Sequence, residues 1–322
     1  MQFVCTLRLP ILDNKNRKIM SDTRKAVAVF GLGNMGYEVA RRIGAKFRLI
    51  ASDRDQKAVQ RACDELSATA FRPELLDHAD AVVLCLPSPE VSMQVLSEIR
   101  GFLVPGSVVI ETSTVNPRHI EQERDILAAH DVQVIDASIL AGVGQMRAGT
   151  ASLALGGPHE TIARVQDVLD AVASRQIHFG KLGTGAAAKV INNAVAHAVM
   201  AVVVEAGALA TATGVDHLKL VDVLSDKDMG LHRPLTYRYA ERILQGDYEG
   251  GMPLDAARKD SMLVLQLAQH SGVPLFAIQG THSVYDMAAA AGYGREDYAA
   301  IAKLWCDWGR PAAPARASRD GA

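Results

Sequence analysis

Hydrophobic and polar positions along residues 26–157 alternate between short apolar runs and longer amphipathic stretches. The apolar runs are rich in Val, Ile, Leu and Ala, and Gly, Pro, Asp or Ser residues bound them, which is typical of buried strands. Helical patterns lie between several of the runs, so the alternation predicts an α/β, Rossmann-type doubly wound sheet. The first predicted strand begins at Ala26, and the second ends at Asp53. Further strands are predicted at residues 80–87, 106–114, 132–138, 150–157 and 176–180.

The pattern after the last predicted strand is helical only, which predicts an all-α domain. Its first helix, at about 185–212, consists mostly of Ala and Val. Lys189, Asn193 and His197 follow one another at i, i+4 and i+8 and therefore share one stripe. We expect a long buried helix that lines a cleft with this stripe. The polar residues of the stripe, together with Glu205, disfavour a membrane span.

A glycine-rich turn connects the first predicted strand to the first predicted helix. It has the spacing GxGxxG and comprises Gly31, Leu32, Gly33, Asn34, Met35 and Gly36. Between a strand and a helix, this spacing is typical of a dinucleotide site. Gly31 would allow the tight turn, Gly33 the approach of a pyrophosphate to the backbone, and Gly36 close packing of the helix. The amides and dipole at the helix N-terminus favour phosphate groups.

The second predicted strand ends at Asp53, 22 positions after Gly31. A carboxylate there can accept hydrogen bonds from the ribose hydroxyls of NAD and repels the 2′-phosphate of NADP. Arg54 follows directly and would partly compensate for a phosphate. NAD is therefore the predicted cofactor, with NADP as the alternative. A flavin or S-adenosylmethionine is the competing ligand for such a loop.

These patterns divide the chain into four segments. Residues 25–183 are predicted to form a dinucleotide-binding domain, and residues 184–309 an all-helical substrate and oligomerisation domain. We expect residues 1–24 to be a disordered extension. Residues 310–322 combine Pro, Ala and polar residues without periodicity, so we expect a disordered tail.

Charge and cysteine content exclude several classes of function. The 34 Lys and Arg residues balance 36 Asp and Glu residues among 322, without a basic run, so neither a nucleic acid nor an anionic membrane is a predicted partner. The cysteines lie far apart and have neither CxxC nor Cys/His spacing, which favours a reducing, cytoplasmic setting without a metal site or disulfide framework. They are Cys5, Cys63, Cys85 and Cys306.

Four segments in this order resemble the β-hydroxyacid dehydrogenase family over residues 25–307, nearly the whole chain. "VFGLGNMG" with "ASDRD" is similar to the nucleotide motif, "ETSTVNP" to the Ser-Thr loop near nicotinamide and substrate, "GTGAAAKVINN" to the catalytic segment, and "RKDSMLVLQLA" to the later Lys-Asp motif. The resemblance implies hydride transfer between NAD and a 3-hydroxy acid. It also implies a homodimer or homotetramer formed through the helical domains.

The resemblance assigns roles to individual side chains. Lys189 would be the general acid/base and Asn193 would position the substrate. Ser113 and Thr114 would line the reaction chamber, and Lys259 would close the site over substrate and cofactor. As the alternatives, Lys189 snorkels to water and Lys259 is a surface lysine paired with Asp255, and His197 is read as structural. Leu86 and Pro87 follow a predicted strand, and the loops after strands of such sheets line the cofactor crevice.

One segment departs from the family pattern. The family's substrate-binding stretch reads Asp-Ala-Pro-Val-Ser-Gly-Gly, whereas this chain has Leu140 at the serine position and Ala141 at the first glycine position, followed by Gly142. Leu140 removes a hydroxyl donor and adds bulk, while the amides of Ala141 and Gly142 remain as potential anion ligands. An NADPH-dependent aldehyde or imine reductase acting on a substrate without a carboxylate is therefore one alternative. A non-catalytic nucleotide-binding protein is a second alternative, from a different class of function.

Overall fold

The computed structural model describes residues 24–313, and the chain divides into two compact units between Asn193 and Ala194. Most of both predicted terminal segments, together with Cys5, lies outside the described residues. The predicted domain boundary at 183/184 falls at the start of a long helix, ten residues before this division.

The first unit is built on one sheet of eight strands in the order β3-β2-β1-β4-β5-β6-β7-β8. All neighbouring strands are parallel except β6 and β7, which are antiparallel. The strands are apolar because helices cover both faces of a doubly wound sheet. They are β1 Ala26–Phe30, β2 Arg48–Ser52, β3 Thr69–Ala70, β4 Ala79–Leu84, β5 Val108–Glu111, β6 Gln133–Leu140, β7 Ser152–Gly156 and β8 Arg175–His178.

Two hydrophobic clusters lie on opposite faces of this sheet. Val27 and Val29 of β1 belong to one cluster, and Ala26 and Ala28 to the other, as the two-residue period of a strand requires. The chain winds from β1 to β2 in one direction and to β4 in the other, which places a topological switch point at the carboxyl end of β1. The helices are α1 Asn34–Gly44, α2 Gln56–Leu66, α3 Pro89–Ile99, α4 Pro117–Ala128, α5 Val143–Ala148, α6 His159–Arg164 and α7 Gln166–Val172, with 3-10 turns at Pro73–His78 and Arg100–Phe102.

The second unit is helical, which confirms the predicted fold class. Glu205 fixes one of its helix ends, because its carboxylate accepts the backbone N–H groups of Phe276, Ala277 and Ile278 at 2.7, 2.8 and 3.0 Å. The helices are α8 Thr184–Thr213, which begins in the first unit, α9 His217–Ser225, α10 Leu254–Ser271, α11 Ala277–Ala290 and α12 Ala302–Asp307, with a π-helical segment at Pro234–Arg242 and 3-10 turns at Ile243–Gln245 and Tyr298–Ile301.

Helix α8 has the predicted bounds but not the predicted burial. Its most apolar window has a mean hydropathy of 1.8, enough by length and composition to cross a membrane, yet only 11 % of that window is buried. Ile191 and Val195 are 64 % and 59 % exposed. The expectation of a buried helix is therefore wrong for the single chain, because the described residues do not cover this face.

Candidate active site

The glycine turn after β1 needs glycine at its first and last positions. Gly31 has a φ of +97°, and a Cβ there would lie 2.2 Å from the carbonyl oxygen of Cys85. A Cβ at Gly36 would lie 2.0 Å from the carbonyl oxygen of Gly31. The turn is thus pressed against the end of β4, and α1 against the turn. These contacts agree with the tight turn and close helix packing that the spacing predicts.

The middle glycine of the turn lies beside open space. Gly33 is the N-cap of α1, and no atom lies within 4 Å of a Cβ built there. Asn34 is exposed and Met35 is half-buried. A helix N-terminus with free amides and no side chain in front of it suits a pyrophosphate. This part of the chain therefore fits a dinucleotide.

Asp53 stands at the carboxyl end of β2, half-buried, and contacts this turn. Its Oδ2 accepts the N–H of Leu32 at 2.6 Å, and its Oδ1 accepts the N–H of Asp55 at 2.8 Å. Each carboxylate oxygen can accept a second hydrogen bond, so acceptor capacity for ribose hydroxyls remains. Arg54 is exposed. The geometry holds the predicted acceptor next to the predicted phosphate loop.

The loops after β4 and β5 are tied to each other. The hydroxyl oxygen of Ser113 accepts the N–H of Leu86 at 2.8 Å, and the N–H of Ser113 donates to Oε1 of Glu111 at 2.6 Å. Ser113 is buried, whereas Pro87 and Thr114 are exposed. Ser113 therefore fixes the loop through its oxygen, and its side chain also forms a hydrogen bond with Glu111.

Helix α8 places Lys189 and Asn193 one turn apart on the same side. Both side chains are half-buried, whereas His197 is exposed. Burial lowers the pKa of the Lys189 ammonium, because a low-dielectric environment disfavours the charged form.

The start of α8 packs against the loop after β5. A small hydrophobic cluster contains Ala186 of α8 together with Val115 and Ile120. Val115 directly follows Thr114, and Lys189 stands three residues after Ala186. The structure thus brings the helix that carries the candidate acid/base to the loop that carries Ser113 and Thr114.

In the segment that departs from the family pattern, Leu140 to Gly142, one backbone amide already donates a hydrogen bond within the chain. Leu140 and Ala141 are half-buried and Gly142 is exposed. The N–H of Gly142 donates to Oε1 of Gln145 at 2.9 Å. The expectation that the amides of Ala141 and Gly142 are both available to an anion is therefore wrong for Gly142. Sequence reasoning did not single out Gln145, although its place three residues after Gly142 is that of a capping glutamine.

Lys259 lies on α10 in the second unit, with 68 % of its side chain exposed. Its ammonium lies 3.0 Å from Oδ1 of the adjacent Asp260. The described ion pairs thus place Lys259 against Asp260 rather than Asp255. Its role in closing a site stays a prediction.

Sequence reasoning also missed three fully buried acids, Glu111, Glu123 and Asp136. Burial is the largest cause, and the charge of the neighbouring Glu111 the next, of a pKa of Glu123 that is raised to about 10. Burial also raises the pKa of Glu111, which hydrogen bonds from Ser113 oppose. We therefore assign the proton of this pair to Glu123. Glu111 and Asp136 each follow an apolar run, which was the signal available in the sequence, whereas Glu123 stands among polar residues and gives no such signal.

Two family models together match almost all of the described chain. Residues 26–180 match the NAD binding domain of 6-phosphogluconate dehydrogenase, and residues 183–305 match a domain described as NAD-binding of NADP-dependent 3-hydroxyisobutyrate dehydrogenase. With the nucleotide turn and Asp53, these matches define an NAD(P)-dependent oxidoreductase.

Curated relatives and solved structures agree with this class. L-threonate dehydrogenase of Cupriavidus necator is 31 % identical over 288 residues, 87 % of this chain and 95 % of the relative. Mitochondrial 3-hydroxyisobutyrate dehydrogenase of Mus musculus is 26 % identical, covering 87 % and 86 %. This chain belongs to the β-hydroxyacid dehydrogenase family.

The solved structures include a family member and a more distant neighbour. Mycobacterium tuberculosis 3-hydroxyisobutyrate dehydrogenase, solved with L-serine, aligns with a TM-score of 0.61 at 26 % identity, covering 88 % of this chain and 99 % of that one. An imine reductase from Pseudomonas sp. aligns with a TM-score of 0.78 at 22 % identity, covering 87 % and 99 %. At that identity, the second likeness shows the fold alone.

Proposed function

We propose that this protein interconverts a 3-hydroxy acid and its semialdehyde or keto acid, with NAD preferred over NADP and Lys189 as the general acid/base. The observation that carries the proposal is the half-buried Lys189 with a lowered pKa, on a helix packed against the Ser113–Thr114 loop. A lysine with a lowered pKa is neutral at lower pH than a free lysine, and the neutral amine is the form that takes a hydroxyl proton.

The chain's own residues would do the following. The nicotinamide, when bound, accepts or donates the hydride. Lys189 takes the hydroxyl proton during oxidation and returns it to the carbonyl oxygen during reduction. Asn193, one turn on, donates a hydrogen bond to the reacting oxygen and cannot compete for the proton. The Gly31–Gly36 turn holds the pyrophosphate, and Asp53 the ribose.

The loops and Lys259 complete the proposed site. Leu86, Pro87 and Thr114 would border the nicotinamide, and Ser113 would line the reaction chamber. Lys259 would add a cation against substrate or cofactor.

A substrate panel tests the proposal. Purified protein is assayed by NADH and NADPH absorbance with 3-hydroxyisobutyrate, L-threonate, other hydroxy acids, and aldehydes and imines without a carboxylate. Turnover of at least one 3-hydroxy acid with NAD is expected. Hydride transfer only to imines or neutral aldehydes would replace the proposal by the reductase alternative, which the Leu140 departure favours. Cofactor binding without turnover of any compound would indicate a non-catalytic protein.

Asp53→Ala is expected to raise KM for NAD and to narrow the preference for NAD over NADP. The change removes a ribose acceptor and a charge that repels the 2′-phosphate. Steady-state kinetics with both cofactors check this, and Asp55→Ala, which removes an exposed neighbouring carboxylate, is the control. A wild-type protein that already prefers NADP would show that the cofactor assignment is wrong.

Leu140→Ser is expected to raise kcat/KM for small 3-hydroxy acids by up to about tenfold, the effect of one hydrogen bond to a charged group. Gln145→Gly, which frees the Gly142 amide, should add to that gain. The measurement compares 3-hydroxyisobutyrate with a carboxylate-free aldehyde. Lower activity on the aldehyde without a gain on the acid would indicate that Leu140 forms an apolar wall for an uncharged substrate.

We further propose that the protein is a cytoplasmic homodimer or homotetramer assembled through its helical unit. Leu218, Leu235 and Phe276 of this unit are 77 %, 65 % and 79 % exposed, besides the uncovered face of α8. Large exposed apolar side chains in such numbers mark interfaces, and twofold homodimers are the commonest solution. Light scattering at micromolar concentration should give at least twice the chain mass, and a monomer there would contradict the proposal.

A further inference from the structure

The carboxylate of Asp136 connects the sheet to the helix that carries Lys189. Asp136 lies in β6 and is fully buried. Its Oδ1 accepts the N–H of Gly183 at 2.7 Å, and its Oδ2 accepts the N–H of Ala186 at 2.7 Å. Gly183 directly precedes α8 and Ala186 is in its first turn. A side chain 47 residues away in sequence thus caps this helix.

Two glycines make this approach possible. A Cβ at Gly156 would lie 2.5 Å from Oδ2 of Asp136. A Cβ at Gly185 would lie 2.4 Å from the carbonyl oxygen of Ala154 and 2.8 Å from Oδ2 of Asp136. The N-terminal end of α8 therefore lies directly against β7, with the carboxylate of Asp136 between them. The contact fixes the first helical turn relative to the sheet, both in its position along the helix axis and in its rotation about that axis.

Among the described residues, the carboxylate of Asp136 is held by backbone N–H groups and not by a counter-ion. A buried charge is costly unless it is paired, and the ion pairs among the described residues give Asp136 no cation. Burial raises the pKa of Asp136, although the backbone N–H groups oppose that shift. What the group supplies is two charge-assisted hydrogen bonds at a helix N-terminus. Those bonds have a strict geometry.

We propose that Asp136 is a positioning residue for the reaction, acting through α8 on Lys189. It fixes where the first turn stands relative to the sheet. Lys189 follows Ala186 by three residues and so moves with that turn. Misplacement of a reacting group by about 1 Å can cost about a hundredfold in rate. The inference rests on the proposed role of Lys189.

The test is Asp136→Asn, which keeps the shape but replaces one carboxylate oxygen, an acceptor, by an amide NH2, a donor that then faces a backbone N–H. The expected result is a fall in kcat of about tenfold to a hundredfold. The Kd of NADH should stay within about twofold, because the Gly31–Gly36 turn and Asp53 are untouched. Hydride transfer is measured in single turnovers, and NADH binding by fluorescence, well below the unfolding temperature of each variant.

Glu205→Gln is the matched control, since Glu205 also caps a helix with a carboxylate, but the helix is α11. It should lose stability while kcat changes by less than about threefold. An equal loss of kcat in both variants would show that Asp136 acts only through general stability and would overturn the inference. Gly185→Ala displaces the same helix end with the carboxylate retained, and it too should lower kcat without weakening NADH binding.

The double variant Asp136→Asn/Lys189→Ala separates the two proposals. If Asp136 acts through Lys189, the asparagine causes almost no further loss once the lysine is gone. Additive losses, or a silent Asp136→Asn in an otherwise Lys189-dependent enzyme, would overturn the positioning role alone. A Lys189→Ala variant with near-normal activity would instead overturn the proposed function.

Discussion

Lys189→Ala should lower kcat by about a hundredfold or more while the Kd of NADH stays nearly unchanged. General acid/base groups contribute about a hundredfold to ten-thousandfold, and the substitution leaves the pyrophosphate turn intact. Steady-state turnover and NADH fluorescence measure the two quantities. Lys181→Ala removes an exposed lysine just before the same helix and serves as the control. A variant that keeps more than about a tenth of wild-type turnover would exclude Lys189 as the acid/base.

The pH profile of the wild type should carry the same signature. Because burial lowers the pKa of Lys189, the neutral amine that accepts the hydroxyl proton forms at lower pH than for a free lysine. The kcat/KM of alcohol oxidation should therefore rise with pH through this lowered pKa. The rise should be absent from the residual activity of Lys189→Ala. A limb of the profile that survives the substitution belongs to another group.

Glu123→Gln should stabilise the protein increasingly as the pH rises. The pKa of Glu123 is raised in the folded state from 4.5 to about 10, so between these values the folded chain holds a proton that the unfolded chain releases. The contribution of wild-type Glu123 to stability is therefore present at low pH and is lost as the pH rises. The limiting slope is about 1.4 kcal/mol per pH unit. Glutamine is neutral and has no such dependence.

Urea unfolding at about pH 6 and about pH 8.5 tests this, at one protein concentration for all samples. The free energy of unfolding of Glu123→Gln minus that of the wild type should grow by roughly 1 kcal/mol or more per pH unit. Glu121→Gln, an exposed glutamate on the same helix, should show a constant difference. A constant difference for Glu123→Gln as well would mean that Glu123 ionises normally in the folded protein.

The sequence predicted best what neighbouring residues decide. The Gly31–Gly36 turn and Asp53 were predictable, because their chemistry depends on local spacing. The contact between Asp136 and the start of α8 joins residues about 50 positions apart, and no period in the sequence encodes it. The antiparallel pairing of β6 and β7 escaped for the same reason.

Composition predicts the burial of a helix incorrectly where that burial depends on a partner. A helix of Ala and Val suggests a position in the protein interior. Its exposure depends on what packs against it, and the sequence of the helix does not specify that partner. Gln145 shows the same limit on a smaller scale. The amide of Gly142 was expected to be free because the stretch that ends at Gln145 was read as a loop after a strand, whereas the Gln145 side chain accepts that amide at the start of a helix.

The reversal of β7 has a consequence for how this protein can change. Antiparallel pairing opposes Leu140 to Ser152, so the chain between them, including the six-residue α5, turns back at the carboxyl end of β6 and never crosses the sheet. Arg147 ties α5 to α1 through an ion pair with Glu38 at 2.8 Å. The segment is therefore an anchored insert, with Met146 fully buried in the core and Gly142, Gly144 and Gln145 exposed. Laboratory evolution of substrate range is best begun at these exposed positions, with Met146 left unchanged.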